Sequence, residues 1–141
     1  YILSEDWLEL EKGKIKVEPS VRFLSPFDNL IILRDRTSRL FNFDYGVECY
    51  VPKEKRRFGY FCLPILWWDE LVGLIDPKVD RTNKKFLINN LHLKTNDLNF
   101  NQFGPAFIRA LNDFVKFHDC SYLEFSETIS RSTIRKISRY M

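Results

Sequence analysis

The side chains in this sequence that could do acid, base or nucleophilic chemistry are scattered. The two histidines, His92 and His118, fall in a strand-like run and at the end of a helix-like run, and no serine sits in a Gly-x-Ser-x-Gly turn. His118 is explained by favourable charge against a helix C-terminus, and His92 reads as a structural strand residue. There is no glycine-rich phosphate loop and no His-Glu-x-x-His pair. Cys49, Cys62 and Cys120 lack Cys-x-x-Cys spacing, and three is an odd number, so neither a zinc site nor a disulfide framework is expected. A Cys49–Cys62 bridge across a hairpin is geometrically open, but free thiols in a reducing cytoplasm are the preferred reading. No metal and no cofactor is expected. Asp28, Asp44, Asp76 and Asp80 are better candidates for catalysis, yet all sit at turn-like positions, where Asp is common for local hydrogen-bonding reasons. Asp28 suits the cap of whatever begins at Asn29, and Asp76-Pro77 reads as a turn start. Nothing in the spacing selects a catalytic pair.

Positive charge is more organised. Lys53, Lys55, Arg56 and Arg57 crowd one connection, beside Phe58 and Tyr60. Lys78, Arg81, Lys84 and Lys85 occupy a second, and Arg34, Arg36 and Arg39 a third. These groups hold eleven of the 22 Lys and Arg residues, opposed within them only by Asp35, Glu54 and Asp80. Loops that carry cations past a curved sheet reach phosphate backbones or enter grooves. The bland alternative is a solubilising turn.

The elements that position these groups read as α+β: a small curved antiparallel sheet or β-barrel-like core, one main helix and short flanking helices. Ser4 is expected to cap a short helix that buries Trp7, Leu8 and Leu10 and breaks at Lys12-Gly13-Lys14. Val21–Leu24 is expected as a strand, followed by turn residues 25–28, and 30–39 as a short helix or irregular crossing. Tyr45–Val51 and Phe58–Leu66 are expected to pair around the polar residues 52–57. Leu71–Asp76 and Lys85–Leu93 form the next expected pair, with Phe86, Ile88 and Asn90 on one face and Leu87, Asn89 and Leu91 on the other. Gly46, Gly59 and Gly73 are placed inside strands, as bulges or close approaches. The main helix is expected to start at Gly104-Pro105 and bury Phe103, Phe107, Ala110, Leu111, Phe114 and Val115. A strand over 122–125 and a helix over 128–140 complete the chain.

Composition narrows the class. Among 141 residues, 13 Phe, 6 Tyr and 3 Trp, with 45% hydrophobic residues, supply a real core and exclude a disordered tail. The net charge of +3 is too small to establish a nucleic-acid partner alone. No run reaches the roughly 18 apolar residues of a membrane span, and no membrane partner is expected. The opening YILSEDWLEL is acidic and amphipathic, unlike a signal peptide. The chain reads as a piece of a longer cytoplasmic protein, with residues 1–20 a short helix and linker from a preceding domain and 21–141 the domain itself.

Longer blocks carry a family resemblance. FLSPFDNLI (23–31), DRTSRLFNFDYGVECYVPKEKRRFGYFCLPIL (35–66), ELVGLIDPKVDR (70–81) and LHL (91–93) resemble the AlkZ/YcaQ group of winged-helix DNA glycosylases, which excise alkylated purines and some interstrand crosslinks. The resemblance is strong from Val21 to about Lys94 and looser beyond. It implies a β-barrel-like domain in the C-terminal half, after tandem winged-helix units, helping to grip duplex DNA with a hairpin near the lesion. The family's Gln-x-Gln or Gln-x-Asp signature has no match here, because Gln102, the one glutamine, is followed by Phe103 and Gly104. No catalytic residue carries over. The sequence also departs from the family in having Trp67-Trp68 where members often have His-Gly, and Leu74 where a basic residue often follows the glycine.

The expected function is therefore a non-catalytic domain that grips double-stranded DNA through Lys53, Lys55, Arg56, Arg57, Lys78, Arg81, Lys84 and Lys85. Its other expected partners are the winged-helix domains of the same chain. The alternatives are a non-enzymatic winged-helix-associated DNA binder, a protein-docking module using Trp67 and Trp68, and, last, a self-contained hydrolase built on Asp28, Asp44 or Asp76.

Overall fold

Apolar residues so dense along 62–93 need cover on both faces of whatever sheet they form. The computed structural model of the chain describes residues 3–13, 19–94 and 98–141, and it provides that cover. Strands β1 (Val21–Phe23), β2 (Leu63–Trp67), β3 (Glu70–Asp80), β4 (Lys85–Leu93) and β5 (Tyr122–Phe125) form one five-stranded sheet in sequence order. The sheet curls into a half-barrel. Helices are α1 (Ser4–Glu11), α2 (Arg34–Phe41), the long α3 (Phe100–Phe117) and α4 (Arg131–Ser138). The α+β class is as expected from sequence, with one correction: β5 pairs with β4 in parallel, because α3 carries the chain back before it re-enters the sheet.

Two bulges bend the sheet. Leu66 pairs with Leu71 but Ile65 with Gly73, leaving Val72 as the extra residue on β3. Asp76 pairs with Asn90 but Pro77 with Ile88, leaving Asn89 as the extra residue on β4. The second bulge corrects the simple alternation expected of β4: it shifts the phase, so Leu91 joins Phe86 and Ile88 in one core while Asn90 does not. It also admits Pro77 inside β3, where the sequence suggested a turn. At the first bulge Gly73 is obligatory, since a Cβ there would lie 2.1 Å from the His92 carbonyl oxygen.

One core fills the space between the sheet and α3. Ile65, Ile75, Phe86 and Ile88 meet Phe103, Phe107 and Leu111, with Ile129 and Ile137 closing the end. Helix α3 starts earlier than expected, at Phe100, because the Asn99 side chain accepts a hydrogen bond from Asn101 N–H and caps it. Pro105 then lies inside the helix. The second core, on the opposite face, joins Leu71 and Leu74 to Leu24, Ile31, Phe43, Tyr45 and Cys62. Much of this cover is irregular chain. Residues 45–51, expected as a strand, form none, and strand structure begins only at Leu63.

Helix α1 is placed as expected, but Leu3 occupies its cap position rather than Ser4, and α1 buries none of its residues. Trp7, Leu8 and Leu10 stay about half exposed. Gly13 ends this stretch in a left-handed conformation, and residues 14–18, the rest of the expected break and linker, lie outside the described residues. Of the paired tryptophans, Trp67 packs edge-on to Phe103 at 5.7 Å, so only Trp68 stands exposed.

Phe107, fully buried and packed against Phe23 and Phe103, is expected to lower stability by about 3–5 kcal/mol when replaced by Ala. Phe117→Ala, at a position 80% exposed, is expected to stay within about 0.5 kcal/mol. Urea unfolding followed by tryptophan fluorescence measures both.

Candidate nucleic-acid interface

The chain between Val47 and Phe61 carries many backbone N–H groups and makes no strand, so they need other acceptors. Two carboxylates supply them. Glu48 accepts from Arg57 N–H at 2.9 Å, Phe58 N–H at 2.8 Å and Gly59 N–H at 3.2 Å. Asp76, reaching out of β3, accepts from Tyr60 N–H at 3.1 Å and Phe61 N–H at 3.2 Å. Bonds to a buried ionised acceptor contribute roughly 1.5–3 kcal/mol each, and solvent screening makes those to the more exposed Glu48 worth less. Gly59 is fitted to the arrangement: its φ is +154°, and a Cβ would lie 2.4 Å from the Asp76 carboxylate. A short 3-10 turn, Lys53–Lys55, forms the tip after Pro52.

This frame aims the basic residues. Arg56 donates Nε–H to the Val51 carbonyl at 2.8 Å and lays its guanidinium over the Tyr60 ring, 4.9 Å from the centroid. Arg57 covers Phe58 at 5.1 Å, and the His92 ring meets Phe58 edge-on from another side. Lys53, Arg56 and Arg57 then line a groove of about 760 Å³ with Lys78 of β3, the rings of Phe58 and Tyr60, and Asn89 and Asn90 at the β4 bulge.

The eight expected residues thus divide. Lys53, Arg56, Arg57 and Lys78 share one groove, and Lys55 is exposed on the adjoining turn. Arg81, Lys84 and Lys85 lie at the turn joining β3 to β4, just past Lys78, and do not line the groove. Lys84 pairs with Asp119 at 3.1 Å and Lys85 with Glu124. Of the third basic group, Arg34 donates to the Ile31 and Pro26 carbonyls at 2.7 and 3.0 Å and stacks on Tyr45, while Arg36 donates to the Asn29 and Leu30 carbonyls. Those two arginines tie a turn together.

The expected carboxylate candidates have structural employment. Asp28 accepts from Leu30 N–H at 2.8 Å, Asp44 from the Ser38 hydroxyl at 2.9 Å, and Asp80 from the backbone and side chain of Asn83. All three cysteines are free thiols. Burial, reinforced by the charges of Asp76 and Glu48, pushes the Cys62 thiol up to about 12, which keeps it protonated and inert near neutral pH. Sequence reasoning missed Glu48, Asn89 and Asn90. A Glu nine residues before an Arg-Phe-Gly run has no recognisable spacing, and the Asn residues matter only through the bulge.

Residues 1–117 match the family model described as AlkZ-like: DNA glycosylase AlkZ-like. The matched span holds all eight expected basic residues and both carboxylates of the frame, and it ends with α3. No solved structure matches the chain.

Partial desolvation pushes the Glu48 carboxyl up, but its three backbone donors together with the Arg57 charge outweigh this and hold it below the ordinary 4.5. A depressed native value means that the ionised carboxylate stabilises the loop above about pH 4.5, and that this contribution is lost as pH falls through the native value. Glu48→Gln is expected to speed amide exchange at Arg57, Phe58 and Gly59 by roughly five- to tenfold near neutral pH, for about 1 kcal/mol of lost bonding. The acid-dependent loosening of those amides disappears in the same variant.

Proposed function

This chain belongs to the AlkZ-like DNA glycosylase family, and we propose that it is the C-terminal, DNA-gripping part of a DNA-repair glycosylase-like protein. Residues 21–141 serve as a barrel-like domain without catalytic residues of its own. Residues 1–20 trail from a preceding winged-helix unit, and the upstream units bring the glutamine-bearing chemistry. In the cytoplasm the domain holds duplex DNA through Lys53, Lys55, Arg56, Arg57, Lys78, Arg81, Lys84 and Lys85, without reading sequence, because these residues lie on loops and strand ends rather than on a recognition helix.

One observation carries this reading: the groove that unites Lys53, Arg56 and Arg57 with Lys78 from a separate strand. Solubilising lysines have no reason to converge, whereas phosphates along a backbone reward convergence. Lys84 and Lys85 contribute less in this scheme, since Asp119 and Glu124 already meet part of their charge. No helix among the described residues is long and apolar enough to cross a membrane.

Fluorescence anisotropy of a labelled duplex across salt concentrations tests the proposal. Four neutralised phosphates give a slope of log affinity on log salt near −3.6, from roughly −0.9 per contact. Arg57→Glu and Lys78→Glu are expected to flatten that slope by about 0.9 each, and Lys84→Glu by less. No binding at about 50 mM salt, where phosphate contacts are strong, overturns it.

A further inference from the structure

Phosphate contacts need only cations, yet the basic groove contains more. Tyr60 is 55% exposed within it, and its ring is set in place: its own backbone N–H donates to Asp76, and Arg56, itself anchored on the Val51 carbonyl, stacks on the ring. Phe58 differs in being half-buried between Arg57 and His92. Tyr60 is therefore the ring positioned to receive something flat. On the β4 side stand Asn89, whose amide offers both donor and acceptor, and Asn90, whose Oδ1 accepts from the Thr128 hydroxyl at 3.3 Å and whose NH2 is left to donate. Asn89 is there because it is the extra residue of the bulge, which turns it out of the regular ladder. The groove volume of about 760 Å³ falls within the range of small-ligand clefts.

An aromatic platform, hydrogen-bonding amides and a cluster of cations together match the three parts of a nucleotide: base face, base edge and phosphate. A base inside an intact duplex offers neither its face nor its pairing edge. We propose that this groove is a subsite for a single unpaired nucleotide of DNA, with the base stacked on Tyr60, its edge toward Asn89 and Asn90, and its phosphate among Arg57, Lys53 and Lys78. The subsite rests on the DNA-binding reading above and adds to it a preference for interrupted over continuous duplex.

The test compares anisotropy titrations of a matched duplex and the same duplex carrying a one-nucleotide bulge. The bulged DNA is expected to bind about tenfold more tightly, the scale of one base–aromatic stack. Tyr60→Ala brings the two affinities together, whereas Tyr60→Phe, which keeps the ring, preserves the difference. Excess dAMP lowers affinity for the bulged duplex to that for the matched one. Equal binding of the two duplexes overturns the subsite while leaving the phosphate grip standing. A bulge preference that survives Tyr60→Ala overturns it too, since the preference then comes from DNA flexibility. Absence of binding to either duplex overturns both readings together.

Discussion

The arrangement of the basic surface depends on a shortage of backbone partners. Residues 57–61 run beside the sheet without joining it, and their N–H groups close instead on the carboxylates of Glu48 and Asp76. A polar segment left in that position without acceptors would carry the full desolvation cost of each donor. Two negative side chains thus hold a loop whose own side chains are strongly positive. The same bonds bring Arg56, Arg57 and Tyr60 to the rim of β3. Asp76 is buried, at 4% exposed, so it acts on the loop's backbone more than on a ligand.

The bulges of the sheet serve the same end. Without the extra Asn89, Pro77 would fall in an uninterrupted ladder, where its missing donor is least tolerated. With it, β3 extends past Asp76, carries Lys78 to the groove, and leaves Leu91 in the core on a shifted phase. The half-barrel curvature and the groove are consequences of one sheet accommodating both faces of cover, helical on one side and irregular on the other.

Charge alone is a poor guide to use. Arg34 and Arg36 come from a cluster as basic as the others, yet they bind carbonyl groups of their own turn. Lys84 and Lys85 face acids from α3's end and β5. In the groove, Arg56 also bonds a carbonyl of its own loop, that of Val51, but its guanidinium stays at the groove beside Lys53 and Arg57, and Lys78 joins them from a separate strand. This division makes the groove the surface proposed for DNA, and the adjoining aromatic and amide side chains line the same groove.

The α+β class, the β3–β4 ribbon, the apolar face of α3 and the strand over 122–125 were legible in the sequence, because each rests on local periodicity and short-range chemistry. The basic loop was legible as composition, and its long ordered blocks pointed to the family. What the sequence did not determine was whether 45–51 would pair, where α1's apolar residues would go, or which cations would stand together. The first and last of those outcomes depend on contacts between distant residues: Glu48 with 57–59, Asp76 with 60–61, and the bulge opposite Pro77. A strand pattern in residues 45–51 has no effect unless a partner edge is free, and here the carboxylates had already satisfied the neighbouring segment. Tertiary structure decided the site because hydrogen-bond satisfaction is settled over the whole fold, whereas periodicity is settled within a few residues.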